Sequence, residues 1–208
     1  MLTSTPNLLT LGRVALIPAL VACFFVDGDW ARYLAAAIFA VAATTDDFDG
    51  YLARIWRQQT PFGRWLDPIA DKLLVAATIL MLVGFDRAPL LPSLVILLRE
   101  ITVSGLREYL AEVSVGLPVS RLAKWKTAVQ MVAIGVLVVG DAGPAALPVH
   151  AIGVLGLWLA AALTLVTGYD YLRAGMRHML AGESAAPRPE PRAASEHAST
   201  AASIPERA

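Results

Sequence analysis

Cysteine is nearly absent. Cys23 stands alone in the chain, which excludes an intramolecular disulfide and a cysteine-built zinc centre. With Leu20, Val21 and Ala22 it resembles a lipoprotein cleavage box, but only Arg13 precedes the apolar run and more apolar runs follow. The match is read as chance within a first membrane span. Charge is sparse as well: charged residues make up 16% of the chain, and 17 basic side chains balance 17 acidic ones. A net charge of zero gives no electrostatic footprint for nucleic acid, and none is expected as a partner. No internal repeat is visible.

Apolar residues are what the chain has in abundance. They make up 57% of 208 residues, and the mean hydropathy is +0.60, too apolar for a soluble domain and suited to several membrane spans. Six segments have close to the roughly 20 residues that a bilayer needs. They are 8–26, with Pro18 as a candidate kink, 30–45, running on as helix past Arg54, and then 66–85, 90–112, 121–140 and 147–172. Short polar turns at Asp27–Asp29, Asp86–Pro89 and Asp141–Pro144 imply antiparallel neighbours. The expected fold is therefore all-α and integral to the membrane, a bundle of six transmembrane helices spanning 1–180. Residues 181–208, rich in Ala, Pro, Ser, Glu and Arg, lack apolar periodicity and are expected to form a disordered tail.

Lysine and arginine set the expected orientation. The odd turns hold only Arg87, with Arg32 just beyond. The other side carries Arg13, Arg54, Arg57, Arg64, Lys72, Arg99, Arg107, Arg121, Lys124, Lys126, Arg173 and Arg177. Both termini are thus expected on the cytoplasmic side, with Trp56, Trp65 and Trp125 at that interface and Trp30 and Tyr33 at the other.

Acidic residues interrupt this apolar chain at one place. Asp46, Asp49, Asp67 and Asp71 fall within a short window between apolar runs, although an acid costs roughly 2.5–3.5 kcal/mol at the centre of a membrane helix. Asp46 and Asp49 share a helix face, as do Asp67 and Asp71. Asp47 points about 100° away from Asp46 on the wheel. Gly50 and Ala53 continue the first face and leave a groove with little bulk, open to a flat ligand. Thr60 is placed to cap the second helix, with Pro61 at its first position. Two facing pairs of carboxylates repel unless protonated or bridged by cations. Hard divalent ions such as Mg²⁺ or Mn²⁺ remove the conflict, and sites of that kind handle phosphates. Ordinary surface acids would instead scatter, whereas these fit one ungapped pattern, D-x2-D-G-x2-A-R-x8-G-x3-D-x3-D.

A second polar zone lies where the fourth and fifth segments meet. Arg99 and Glu100 fall deep in the fourth, where a lone charge is expensive. Glu100 is expected either to pair with Arg107 or a base on another span, or to border a polyanion pocket. In that pocket Arg107, Lys124 and Lys126, with Arg99 and Arg13 as weaker candidates, would hold a phosphate.

The aspartate pattern resembles the signature of the CDP-alcohol phosphatidyltransferases, integral membrane enzymes of phospholipid synthesis. The opening Asn7–Arg13 and the runs Arg99–Glu108 and Ser120–Met131 look like the branch of that family making phosphatidylglycerophosphate. The likeness extends over roughly 7–172. It implies a cytoplasm-facing polar cavity, a homodimer, and transfer from CDP-diacylglycerol to glycerol 3-phosphate, giving phosphatidylglycerophosphate and CMP. It also implies two divalent ions on Asp46, Asp49, Asp67 and Asp71, a nucleotide lined by Gly50, Ala53, Arg54, Thr60 and Gly63, and Asp71 as general base. Inositol phosphate, serine or phosphatidylglycerol are alternative acceptors. A divalent-cation transporter would explain intramembrane acids but does not require the Gly-Ala groove. A non-catalytic scaffold would explain small residues at helix contacts but not four acids.

Overall fold

The computed structural model describes residues 5–55, 61–112 and 121–185. Within them, the side chains at 5–9, 46–55, 61–65, 67, 111–112, 121, 170, 174 and 177–185 fall outside the description. The described residues form six α-helices: α1 Thr5–Cys23, α2 Asp29–Ile55, α3 Pro61–Gly84, α4 Leu90–Glu112, α5 Arg121–Val139 and α6 Val149–Ala185. A single 3-10 turn, Gly140–Ala142, follows α5.

Local chemistry accounts for the boundaries. Gly28 adopts φ +108 before α2, a conformation that a side chain would strain, and Asp29 in the first turn of α2 complements the helix dipole. Pro61 opens α3, where a missing N–H costs nothing. Asp86, at φ 55, ends the run after α3, while the Arg87 N–H donates back to the Leu82 carbonyl at 2.8 Å. Pro18 does not end α1, which continues to Cys23. The tail boundary expected at 180 is crossed by α6, which runs to Ala185.

The helices pack in two linked groups. α1 lies against both α2 and α3, and α6 lies against both α5 and α4. α2 and α5 join the groups. α4 and α5, consecutive in the chain, make no close backbone approach among the described residues, although Lys126 reaches Glu100 between them. α6 separates them because it has small residues towards each. A Cβ on Gly156 would come within 2.9 Å of the Ala133 Cβ on α5, and one on Gly168 within 3.0 Å of Arg99 Cγ on α4. Such close approach favours helix association in a membrane.

The core draws on every helix, with Leu20, Phe39, Leu74, Ile79, Ile96, Ile134, Leu137 and Leu157 nearly fully buried. Large apolar side chains also cover the outside, among them Leu91, Leu94, Leu98 and Ile101 on α4 and Leu155, Leu159 and Val166 on α6. Two helices, over Leu122–Ala142 and Val149–Arg173, are long and apolar enough to cross a membrane, and Thr10–Cys23 is a shorter apolar helix. Trp30, Tyr33 and Trp125 are exposed.

Candidate active site

The aspartate motif sits where α2 ends and α3 begins. On α2 the buried stripe runs Ala31, Ala35, Phe39, Ala42, and the same helical register continues through Asp46, Asp49 and Ala53. On α3 the buried positions Leu74, Thr78 and Leu82 extend backwards in register through Asp71 and Asp67. α2 and α3 pack against each other. Pro68 lies between the two acids of α3, and its missing N–H removes one intrahelical hydrogen bond there.

Asp71 is the member of the motif whose side chain is described. Its carboxylate is 43% exposed and accepts a 2.7 Å hydrogen bond from Arg13 Nη1. Arg13 itself is buried. α1 thus supplies a cation to the carboxylate on α3. The side chains of Asp46, Asp49, Asp67, Gly50, Ala53, Arg54 and Gly63 lie outside the described residues, as does Thr60 altogether. Among the described residues no three potential metal ligands come together.

The second polar zone is a buried network. Lys126 on α5 donates to Glu100 on α4 and is almost completely enclosed. Arg99 Nη1 lies 3.8 Å from the same Glu100 carboxylate. Its Nη2 donates to Thr167 Oγ1 on α6 at 3.1 Å, and its guanidinium stacks over the Tyr171 ring at 5.7 Å. The open choice of partner for Glu100 is resolved: it is met by Lys126 from another helix and by its own neighbour Arg99. Arg107 and Lys124 are exposed. The sequence reasoning grouped Arg13 with these bases, whereas the structure brings it to Asp71. The signal available was the guanidinium inside an apolar helix, which calls for a buried anion.

The opposite ends of the helices hold a smaller polar group. Arg32 Nη1 lies 3.6 Å from Asp141 Oδ2, Tyr33 donates to the Ala142 carbonyl, and the Arg87 guanidinium stands 5.3 Å from the centre of the Phe24 ring. Burial, then the nearby Arg32, push the Arg87 pKa below its ordinary value, with Asp141 opposing them. A cavity of about 350 Å³ nearby is lined by Asp141, Pro144, Leu147, Val149 and His150. It lies far from the aspartates and offers no comparable set of acids and bases.

Comparison with known proteins bears on the aspartate end. The profile of the CDP-alcohol phosphatidyltransferase family matches residues 3–166. A Rickettsia felis protein named CDP-diacylglycerol–glycerol-3-phosphate 3-phosphatidyltransferase is 47% identical over 169 residues, 81% of this chain and 93% of that protein. A Pseudomonas fluorescens protein of the same name is 44% identical over 181 residues, covering 84% and 91% of the two chains. An Arabidopsis thaliana protein, number 2 of that name, is 42% identical over 190 residues, covering 84% and 81%.

Proposed function

The chain belongs to the CDP-alcohol phosphatidyltransferase family, and from that premise we propose that it transfers the phosphatidyl group of CDP-diacylglycerol to glycerol 3-phosphate. The products are phosphatidylglycerophosphate and CMP. The observation that carries this reading is the extent of similarity: relatives whose names specify both substrates match across the aspartate motif and the basic zone together, over 81% of the chain.

The donor sets fit divalent cations. Four carboxylates are hard oxygen ligands, the type that Mg²⁺ and Mn²⁺ take, and the Asp71 carboxylate is partly exposed. Asp46, Asp49, Asp67 and Asp71 would hold two such ions, which supply neutralisation of the diphosphate charge. The chain's own residues do the rest. Gly50, Ala53 and Gly63, with Thr60, admit the cytidine close to backbone, and Arg54 reaches a phosphate. Arg107 and Lys124, exposed at the basic zone, hold the acceptor's phosphate, with Arg99 and Lys126 contributing positive charge from behind. The acceptor hydroxyl oxygen forms a bond to the phosphatidyl phosphorus, the bond from that phosphorus to the CMP oxygen breaks, and Asp71 takes the hydroxyl proton. A carboxylate among cations is a weak base, so positioning and charge neutralisation supply most of the acceleration.

In this reading all six helices span the bacterial cytoplasmic membrane, around a polar cavity that opens to the cytoplasm with both termini on that side. The enzyme works as a homodimer among its lipid substrates. The test is an acceptor screen on purified protein with CDP-diacylglycerol and Mg²⁺, following CMP release. Glycerol 3-phosphate is expected to support turnover, and chelation of divalent ions to stop it. Release driven by inositol phosphate, serine or phosphatidylglycerol instead would reassign the acceptor, and full turnover in excess chelator would remove the metals.

A further inference from the structure

Among the described residues, Arg13 is the cation in direct contact with the aspartate motif. Three observations bear on it. Its side chain has no solvent exposure, so it is not a surface base that happens to lie nearby. Its Nη1 meets Asp71 Oδ1 at 2.7 Å, within the range of a charge-assisted hydrogen bond. The contact links α1 to α3 between residues 58 positions apart, across a helix pair that packs closely. We infer that Arg13 is the positioning residue of Asp71, fixing the carboxylate's rotamer so that Oδ2 is presented to the reacting centre. This rests on the reading of Asp71 as metal ligand and proton acceptor given above.

The physical reason is geometric. Asp71 is partly exposed and sits one turn beyond Pro68. An aspartate there has a loosely defined χ1 and χ2 unless one oxygen is held. The guanidinium is planar and rigid, and its burial in α1 leaves little freedom for its own rotamer. Partners of this kind behind a ligating carboxylate typically change metal affinity or activity by about 10–100-fold when removed.

The test uses the full chain in detergent micelles, with Arg13→Gln, Arg13→Lys, Asp71→Asn and the double variant Arg13→Gln/Asp71→Asn. Mn²⁺ affinity is read by electron paramagnetic resonance of the free ion, alongside kcat, both KM values at saturating Mn²⁺, and thermal unfolding. Arg13→Gln is expected to weaken Mn²⁺ binding and lower kcat by about 10–100-fold, with each KM within about threefold. Arg13→Lys, which keeps the charge and loses the fork, should recover part of both. In the double variant the loss of Mn²⁺ affinity should be clearly smaller than the sum of the two single losses, because the two side chains are in direct contact. If Arg13→Gln alone does not fold, Arg13→Lys, which keeps the charge, takes its place in the cycle with the same readouts. The inference is overturned if Arg13→Gln raises only the KM for glycerol 3-phosphate, since Arg13 would then be an acceptor ligand. Additive losses in the double variant overturn it too, as does a lower melting temperature with Mn²⁺ affinity and kcat unchanged. Asp71→Asn with full Mn²⁺ binding and turnover would instead sink the underlying reading of Asp71, and the inference with it.

Discussion

A lysine in the middle of an apolar helix pair keeps its charge only if an anion meets it, and Glu100 does so for Lys126. Removing one partner of a buried pair leaves the other uncompensated, at about 3–5 kcal/mol, and the partial exposure of Glu100 puts this case near the lower end. Glu100→Gln should therefore lower the melting temperature clearly in a detergent unfolding assay. Lys124→Ala, at an exposed position, should leave the melting temperature in place. It should raise the KM for glycerol 3-phosphate about tenfold while the KM for CDP-diacylglycerol changes little. Equal effects on both substrates would argue against an acceptor-phosphate pocket. At this scale the sequence was readable where spacing carried the information, as for the aspartate pairs and the need of Glu100 for a base. It was unreadable where the partner lies on a helix distant in the chain. Nothing in residues 7–13 says that Arg13 turns towards Asp71 and not towards Lys124.

Among the helices, α6 decides the arrangement. Its small residues let it approach α5 and α4 at once. Gly156→Leu should be felt strongly: its Cβ alone would stand 2.9 Å from the Ala133 Cβ, and a methyl group has no rotamer in which to escape. The backbones must part, at a cost of about 1–3 kcal/mol, read as a lower unfolding temperature. Gly105→Ala is the contrasting change, since a Cβ there meets nothing within 4 Å, and an alanine in a helix is favoured over glycine by about 0.5–1 kcal/mol. Helix existence was legible from apolar run length, and α4 falls on Leu90–Glu112 as the run suggests. The end of α6 was not, because alanine-rich polar sequence after residue 172 permits helix without any apolar signal. Which helices touch depends on packing of small residues against specific partners, information that periodicity within one helix does not contain.

Taken as one body, the molecule has an aspartate end and an Arg32–Asp141 end, and the proposed orientation turns the first to the cytoplasm. In a Cys23→Ser background, Ala145→Cys should react with an impermeant maleimide added to intact cells, and Lys124→Cys only after permeabilisation. Both positions are exposed, so the reverse pattern would invert the orientation. The Arg13–Asp71 contact has a consequence for biogenesis as well. The ribosome makes Arg13 58 residues before Asp71, which at about 5–20 residues per second is a delay of roughly 3–12 s. An unneutralised guanidinium is a poor occupant of hydrocarbon during that interval. In the proposed membrane arrangement α1 meets the partner of its arginine only once α3 has followed it, and translation speed becomes part of how this bundle assembles.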